Sequence, residues 1–139
     1  MGKKNKCIWC ILLCLLVAVL LLRTISIYVP SVGMVVFHMP ETGITVEDPL
    51  TNSEMLAVKK ILWGRIRWPQ SLYGYPACGF GDIYAIILDG VYYMPAWDSC
   101  GMIAVKDRNV ADAPCRYINI SEKQKTILDE IIESRGNRK

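Results

Sequence analysis

The sequence predicts an α+β protein: an N-terminal membrane helix followed by a two-layer domain, with two helices on one face of a four-stranded antiparallel meander. Three observations predict it. Residues 7–22, CIWCILLCLLVAVLLL, hold no charged or strongly polar side chain. Residues 83–97 place Asp89-Gly90, the dipeptide of a type I′ turn, between an unbroken apolar run and a stretch rich in β-formers, which is the pattern of a hairpin. Thr51 and Ser121 each open a capping box that runs into an apolar stripe at helical spacing.

The first element is the apolar run behind the basic start MGKKNK. A spanning helix needs roughly 17–25 apolar residues and a signal-peptide core about 7–15, so this run lies on the border. If Arg23 snorkels, Thr24 to Val29 lengthen the run until Pro30 stops the helix. No A-x-A cleavage site follows, and Thr24-Ile25-Ser26 is a poor substitute, so the run reads as an uncleaved signal-anchor; release near Ser26 is the alternative. Lys3, Lys4 and Lys6 precede the run and Arg23 alone follows closely, so the positive-inside rule puts the N-terminus in the cytoplasm and the C-terminal domain outside. The expected bilayer contact is residues 7–29.

Charge supports this division. Twelve of the 16 basic residues and all 13 acidic ones lie beyond Arg23, which leaves the body near neutral. A nucleic-acid partner would need a clustered basic face, and Arg65 and Arg67 between Trp63 and Trp68 are the nearest approach; they read as a solvated rim or a cation–π contact. No nucleic acid is expected as a partner. The chain is then partitioned into a basic n-region with its anchor (1–29), an extended juxtamembrane segment (30–50), a small α+β domain (51–136) and a tail (137–139).

In the juxtamembrane segment, Val35 to His38 and Ile44 to Glu47 are β-like, and the segment is too apolar for a free linker. One piece is expected on a sheet edge or packed on the domain. A helix follows over 51–63, with Thr51 and Glu54 as its capping box, Leu50 and Met55 as a hydrophobic staple and Gly64 as its stop. The loop 64–81 is rich in aromatics, Gly and Pro, the kind of segment that presents binding residues. Ile83 to Leu88 lacks alternation, as a strand covered on both faces does. Val91 to Trp97 pairs with it, and Pro95 marks a sheet edge or a bulge. Met102 to Lys106 and Arg116 to Ile120 complete the meander. The last helix opens at Ser121, with Gln124 as its capping partner, and ends at Gly136.

The body holds Cys78, Cys100 and Cys115 in an oxidising compartment. With Asp89-Gly90 as the turn, facing residues sum to 179, so Cys78 and Cys100 stand one position out of opposition. An irregular Gly79-Phe80-Gly81 or a bulge at Pro95 corrects the offset. A Cys78–Cys100 disulfide is expected, worth on the order of 3 kcal/mol in the chain-entropy model, with Cys115 left over. Cys7, Cys10 and Cys14 share one stripe of the N-terminal helix, as small apolar residues or as sites for palmitoylation or helix pairing.

Catalytic constellations are weak. His38 is the single histidine, far in sequence from the body cysteines, and no paired C-x-x-C spacing supports zinc in the body. Met34, His38 and Met39 are soft side chains whose ordinary role is packing. Asp82 and Asp98 could meet across the open end of the hairpin, without a second functional group beside them. Asn119-Ile120-Ser121 fits a glycosylation sequon, but Ser121 is better used as a helix cap. No catalytic, cofactor or metal residue is expected. Tyr73, Tyr75, Phe80, Tyr92 and Trp97, with Tyr93, gather around the loop and one end of the sheet, as core packing or as a partner-binding surface. The expectation is a membrane-anchored extracytoplasmic module that binds a protein or small ligand, of accessory, inhibitor or immunity type. The alternative is a small thiol enzyme or redox protein using Cys100 or Cys115.

Overall fold

Asp89 and Gly90 both adopt positive φ, +46° and +84°, which makes the type I′ turn that twists with its flanking strands. The strands they join pair in the register set by a two-residue turn, Leu88↔Val91, Ile87↔Tyr92 and Ile86↔Tyr93. Around this hairpin the computed structural model describes residues 3–26, 30–39, 43–74, 76–80, 83–98, 100–107 and 114–136.

In chain order the elements are α1 (Lys3–Thr24), β1 (Ile25–Ser26), β2 (Gly33–Met39), β3 (Ile44–Pro49), α2 (Asn52–Leu62), β4 (Arg65–Ile66) and β5 (Trp68–Pro69). They continue with α3 (Gln70–Tyr73), β6 (Tyr84–Leu88), β7 (Val91–Pro95), β8 (Met102–Asp107), β9 (Arg116–Asn119) and α4 (Glu122–Gly136). The meander β6-β7-β8-β9 forms as expected, but the sheet has seven strands rather than four, in the order β3-β2-β6-β7-β8-β9-β5, all antiparallel.

The extra strands have a physical cause. Val35 is fully buried and β6 has two ladder edges to satisfy, so β2 pairs along the free edge of β6 from Gly33↔Leu88 to Phe37↔Tyr84. β3 then folds back on β2, so both β-like pieces of the juxtamembrane segment enter the sheet. At the far edge Trp68↔Tyr117 and Pro69↔Arg116 add β5, where Pro69 suits a strand with one unpaired side. Pro95, expected at an edge or bulge, instead ends the interior strand β7. The Ala96 N–H donates to Met102 O on β8, so the Pro95 nitrogen points the other way, beyond the last β6–β7 pair, and no ladder bond is lost.

β6 is covered on both faces. Ile86 and Leu88 join Val35, Ile103, Val105 and Ile118 beneath Val58, Ile61 and Leu62 of α2 and Leu128, Ile131 and Ile132 of α4. Ala85 faces the opposite side, with Met94, Met102, Ala104 and Tyr117 in a second, smaller core.

Both helices start at the expected caps. Thr51 and Glu54 close a reciprocal box on α2, and Ser121 and Gln124 do the same on α4, with Gln124 N donating to Ser121 Oγ at 3.3 Å and Ser121 N to Gln124 Oε1 at 3.0 Å. The staple residues Leu50 and Met55 close over Gly33, where an added Cβ would stand 2.9 Å from Leu50 and from Leu88 and would collide with Met55.

The N-terminal helix forms as α1 but ends at Thr24, where β1 begins, so it does not run on to Pro30 as expected. Among the described residues no helix is long and apolar enough to cross a membrane. The side chains described on α1, Ile8 to Leu20, cover about 20 Å of axis against a hydrocarbon core of about 30 Å. Directly after α1, β1 pairs with β4, Ile25↔Ile66 and Ser26↔Arg65, in a separate two-stranded ladder.

Candidate functional site

Cys78 and Cys100 lie at disulfide distance, with their Cα atoms 6.1 Å apart. The offset implied by hairpin register is absorbed because the chain before β6 is not strand. Trp97 N donates to Gly79 O at 2.7 Å, while Asp98 accepts from Gly79 N at 3.3 Å and from Cys100 N at 3.0 Å. One carboxylate thus ties together the two backbone segments that carry the sulfurs. Met102 Sδ lies 3.6 Å from Cys78 Sγ, so the corner packs into the second core.

This corner is also the place where a cation could be held. The Cys78, Asp98 and Cys100 ligand atoms lie within 4.8 Å of one another. A bridged pair offers no thiolate, however, and Asp98 already spends its oxygens on backbone amides, so the arrangement fits a structural clasp. Asp82, expected to approach Asp98, lies outside the described residues.

The remaining reactive side chains are dispersed. Cys115 is half-buried and packs on the second core, with Arg116 O 3.8 Å from its sulfur. His38 is exposed on β2, its Nδ1 3.3 Å from Thr45 Oγ1. β2 and β9 have β6, β7 and β8 between them, four strand spacings or roughly 19 Å, which separates His38 from Cys115. Met34 and His38 are four residues apart on one strand, about 13 Å, so strand geometry also disperses those soft side chains; the Met39 side chain lies outside the described set.

The aromatic residues divide. Phe80 is half-buried with its ring centroid 5.6 Å from that of Tyr117, and half-buried Tyr92 packs on the same core. Tyr93, one residue on, faces the helices at 5% exposure; Arg67 NH2 donates to its hydroxyl at 3.0 Å and the guanidinium stands 5.9 Å from its ring centroid. Trp97 is exposed. Tyr73 ends α3, its side chain outside the described set, and Tyr75 lies outside the described residues altogether.

A second group of exposed residues includes Trp63 and Trp68, which the sequence marks only as flanks of Arg65 and Arg67. Trp63, Ile66, Trp68 and Leu72 are all exposed on the segment that carries β4, β5 and α3. Arg65, between them, is turned inward, donating to Ile61 O, Asn119 O and Gln124 Oε1. The two tryptophans were a visible signal, but their nearness to the end of α1 depends on the β1–β4 pairing, which has no local signature. Comparison with protein families, with curated proteins and with solved structures finds no match for this chain.

Proposed function

We propose that the chain is a single-pass, membrane-tethered module whose α+β domain stands outside the cytoplasm and acts by binding a protein or small ligand. An accessory, inhibitor or immunity role has this form. The observation that carries the reading is α1: every residue from Ile8 to Leu20 is exposed on this chain, and the stretch is apolar all round. A helix without a polar face is stable only when something apolar surrounds it. In sequence, Cys7, Leu21 and Leu22 bring the apolar run to 16 residues, and the three lysines before it favour an N-terminus in the cytoplasm.

Binding rather than catalysis is supported by the scattered chemistry. Cys115 and His38 stand four strand spacings apart, and the other two body cysteines are at disulfide distance. Alkaline carbonate extraction tests the tether: the full chain stays in the membrane pellet, and replacing Leu13 and Leu16 by lysine, at a cost of about 3 kcal/mol for each charge at mid-bilayer, releases it. Wild-type chain in the alkaline supernatant would refute the tether. Alkylation kinetics test the second half, since a binding module's Cys115 reacts like an ordinary thiol, whereas a rate more than about tenfold higher marks an activated nucleophile.

A further inference from the structure

We propose that the segment Trp63–Leu72 is the domain's seat on the lipid surface, with Trp63, Ile66, Trp68 and Leu72 entering the headgroup region of the bilayer that holds α1; this rests on the membrane reading of α1. Chain geometry brings the segment there. α1 ends at Thr24, and the next two residues pair with β4, Ile25 opposite Ile66 and Ser26 opposite Arg65. Paired strands run about 4.8 Å apart and advance about 3.4 Å per residue, so β4 lies within roughly 10 Å of the helix end. A bilayer surrounding α1 therefore meets β4 before the seven-stranded sheet beyond it.

Side-chain chemistry agrees with the position. Trp63 is 55% exposed, Ile66 42%, Trp68 36% and Leu72 66%, a concentration of large apolar groups unlike the single exposed residues elsewhere on the domain, such as Ile44 or Leu56. Indoles favour the membrane–water boundary, where the ring is half in hydrocarbon and the N–H finds a headgroup oxygen. Between Glu54 and Asp82 the sequence has no carboxylate to repel lipid phosphate. Arg65 and Arg67 are spent on the domain's own carbonyls, Gln124 and Tyr93, so the contact is apolar and aromatic and does not require anionic lipid.

The test uses the full chain in phosphatidylcholine nanodiscs, with single-tryptophan variants that keep Trp9, Trp63 or Trp68 and carry Phe at the other tryptophans. All four tryptophans are exposed, so Phe at these positions opens no core. Lipids brominated deep or shallow in the acyl chain serve as quenchers, and acrylamide probes access from water. Trp9, two residues past the start of the apolar run, and Trp63 and Trp68 are each expected to be quenched more by shallow bromines than by deep ones, as indoles at the membrane boundary are, with no change at Trp63 and Trp68 when anionic lipid is added. Bromine quenching of Trp9 with none at Trp63 and Trp68 overturns the lipid seat and leaves the tether standing. If those two indoles are shielded from acrylamide yet untouched by bromine, a protein covers the patch and the seat is again overturned. An unquenched Trp9 removes the tether and the seat together.

Discussion

Arg135, in the last turn of α4, donates to both carboxylate oxygens of Glu54, in the first turn of α2: NH1 to Oε1 at 2.7 Å and NH2 to Oε2 at 2.5 Å. The same carboxylate closes the α2 capping box through Thr51, and the guanidinium also reaches Pro49 O, Ile131 O and Asp48, so one pair joins both helices to the end of β3. The Arg135 side chain is only 3% exposed. Removing Arg135 leaves the largely buried Glu54 carboxylate without its cation, whereas neutralising Glu54 leaves the buried guanidinium with Asp48 as its remaining carboxylate. Arg135→Ala is expected to cost about 3 kcal/mol of unfolding free energy, measured by urea titration, and Glu54→Gln less, because Asp48 still faces the guanidinium. Destabilisation within 0–1 kcal/mol, the range of a surface pair, would show that the pair is decorative.

The same pair sets a pH dependence. The Arg135 guanidinium, together with the Thr51 hydroxyl and amide, holds the Glu54 carboxyl at about 2, below its ordinary 4.5, against the opposing effect of burial. A carboxylate with a depressed folded-state value stabilises the fold fully above 4.5; that contribution declines as pH falls toward 2 and is absent below it. The urea midpoint of the wild type is expected to fall across this window. Glu54→Gln should show a shallower fall, and equal slopes would contradict the assignment.

Cysteine counting tests the clasp. The chain has six cysteines, so denatured but unreduced protein is expected to take up four maleimides, at Cys7, Cys10, Cys14 and Cys115, and reduced protein six. Reduction of the 78–100 bridge is expected to lower stability by about 3 kcal/mol. Six additions without reductant would remove the bridge.

Gly101 is where the backbone leaves no room. An added Cβ would collide with Ile120 O, and Ile120 N donates to Gly101 O, so neither strand can retreat without losing that bond. At Gly79 the nearest atom to such a Cβ is 3.9 Å away. Thermal denaturation of Gly101→Ala is expected to show a loss of about 2–3 kcal/mol, against about 0.5 for Gly79→Ala. Equal losses would contradict the packing.

Local features of this fold were legible in the residues, and non-local ones were not. Thr51-Glu54, Ser121-Gln124 and Asp89-Gly90 each satisfy their own backbone within a few residues, so they show in sequence, and the turn carries the hairpin register with it. The pairing of β2 with β6 spans some fifty residues, and its only sequence trace is the apolar character of Val35 and Val36. Pro95 fits an interior strand because a missing N–H costs a ladder bond only on the side where the nitrogen points, and here it points beyond the last β6–β7 pair. At the site, the cysteine pair followed from register, but alternation puts Tyr92 and Tyr93 on opposite faces of the sheet, and composition could not say which aromatics remained on the surface.

The most direct measurement of the whole account is protease added to intact cells that carry the full chain with a tag on each end. If the lysines hold the N-terminus inside and the domain folds beyond the bilayer, the C-terminal tag is digested while the N-terminal tag survives with a short protected fragment ending near Pro30. A C-terminal tag that survives until the membrane is broken would contradict the account.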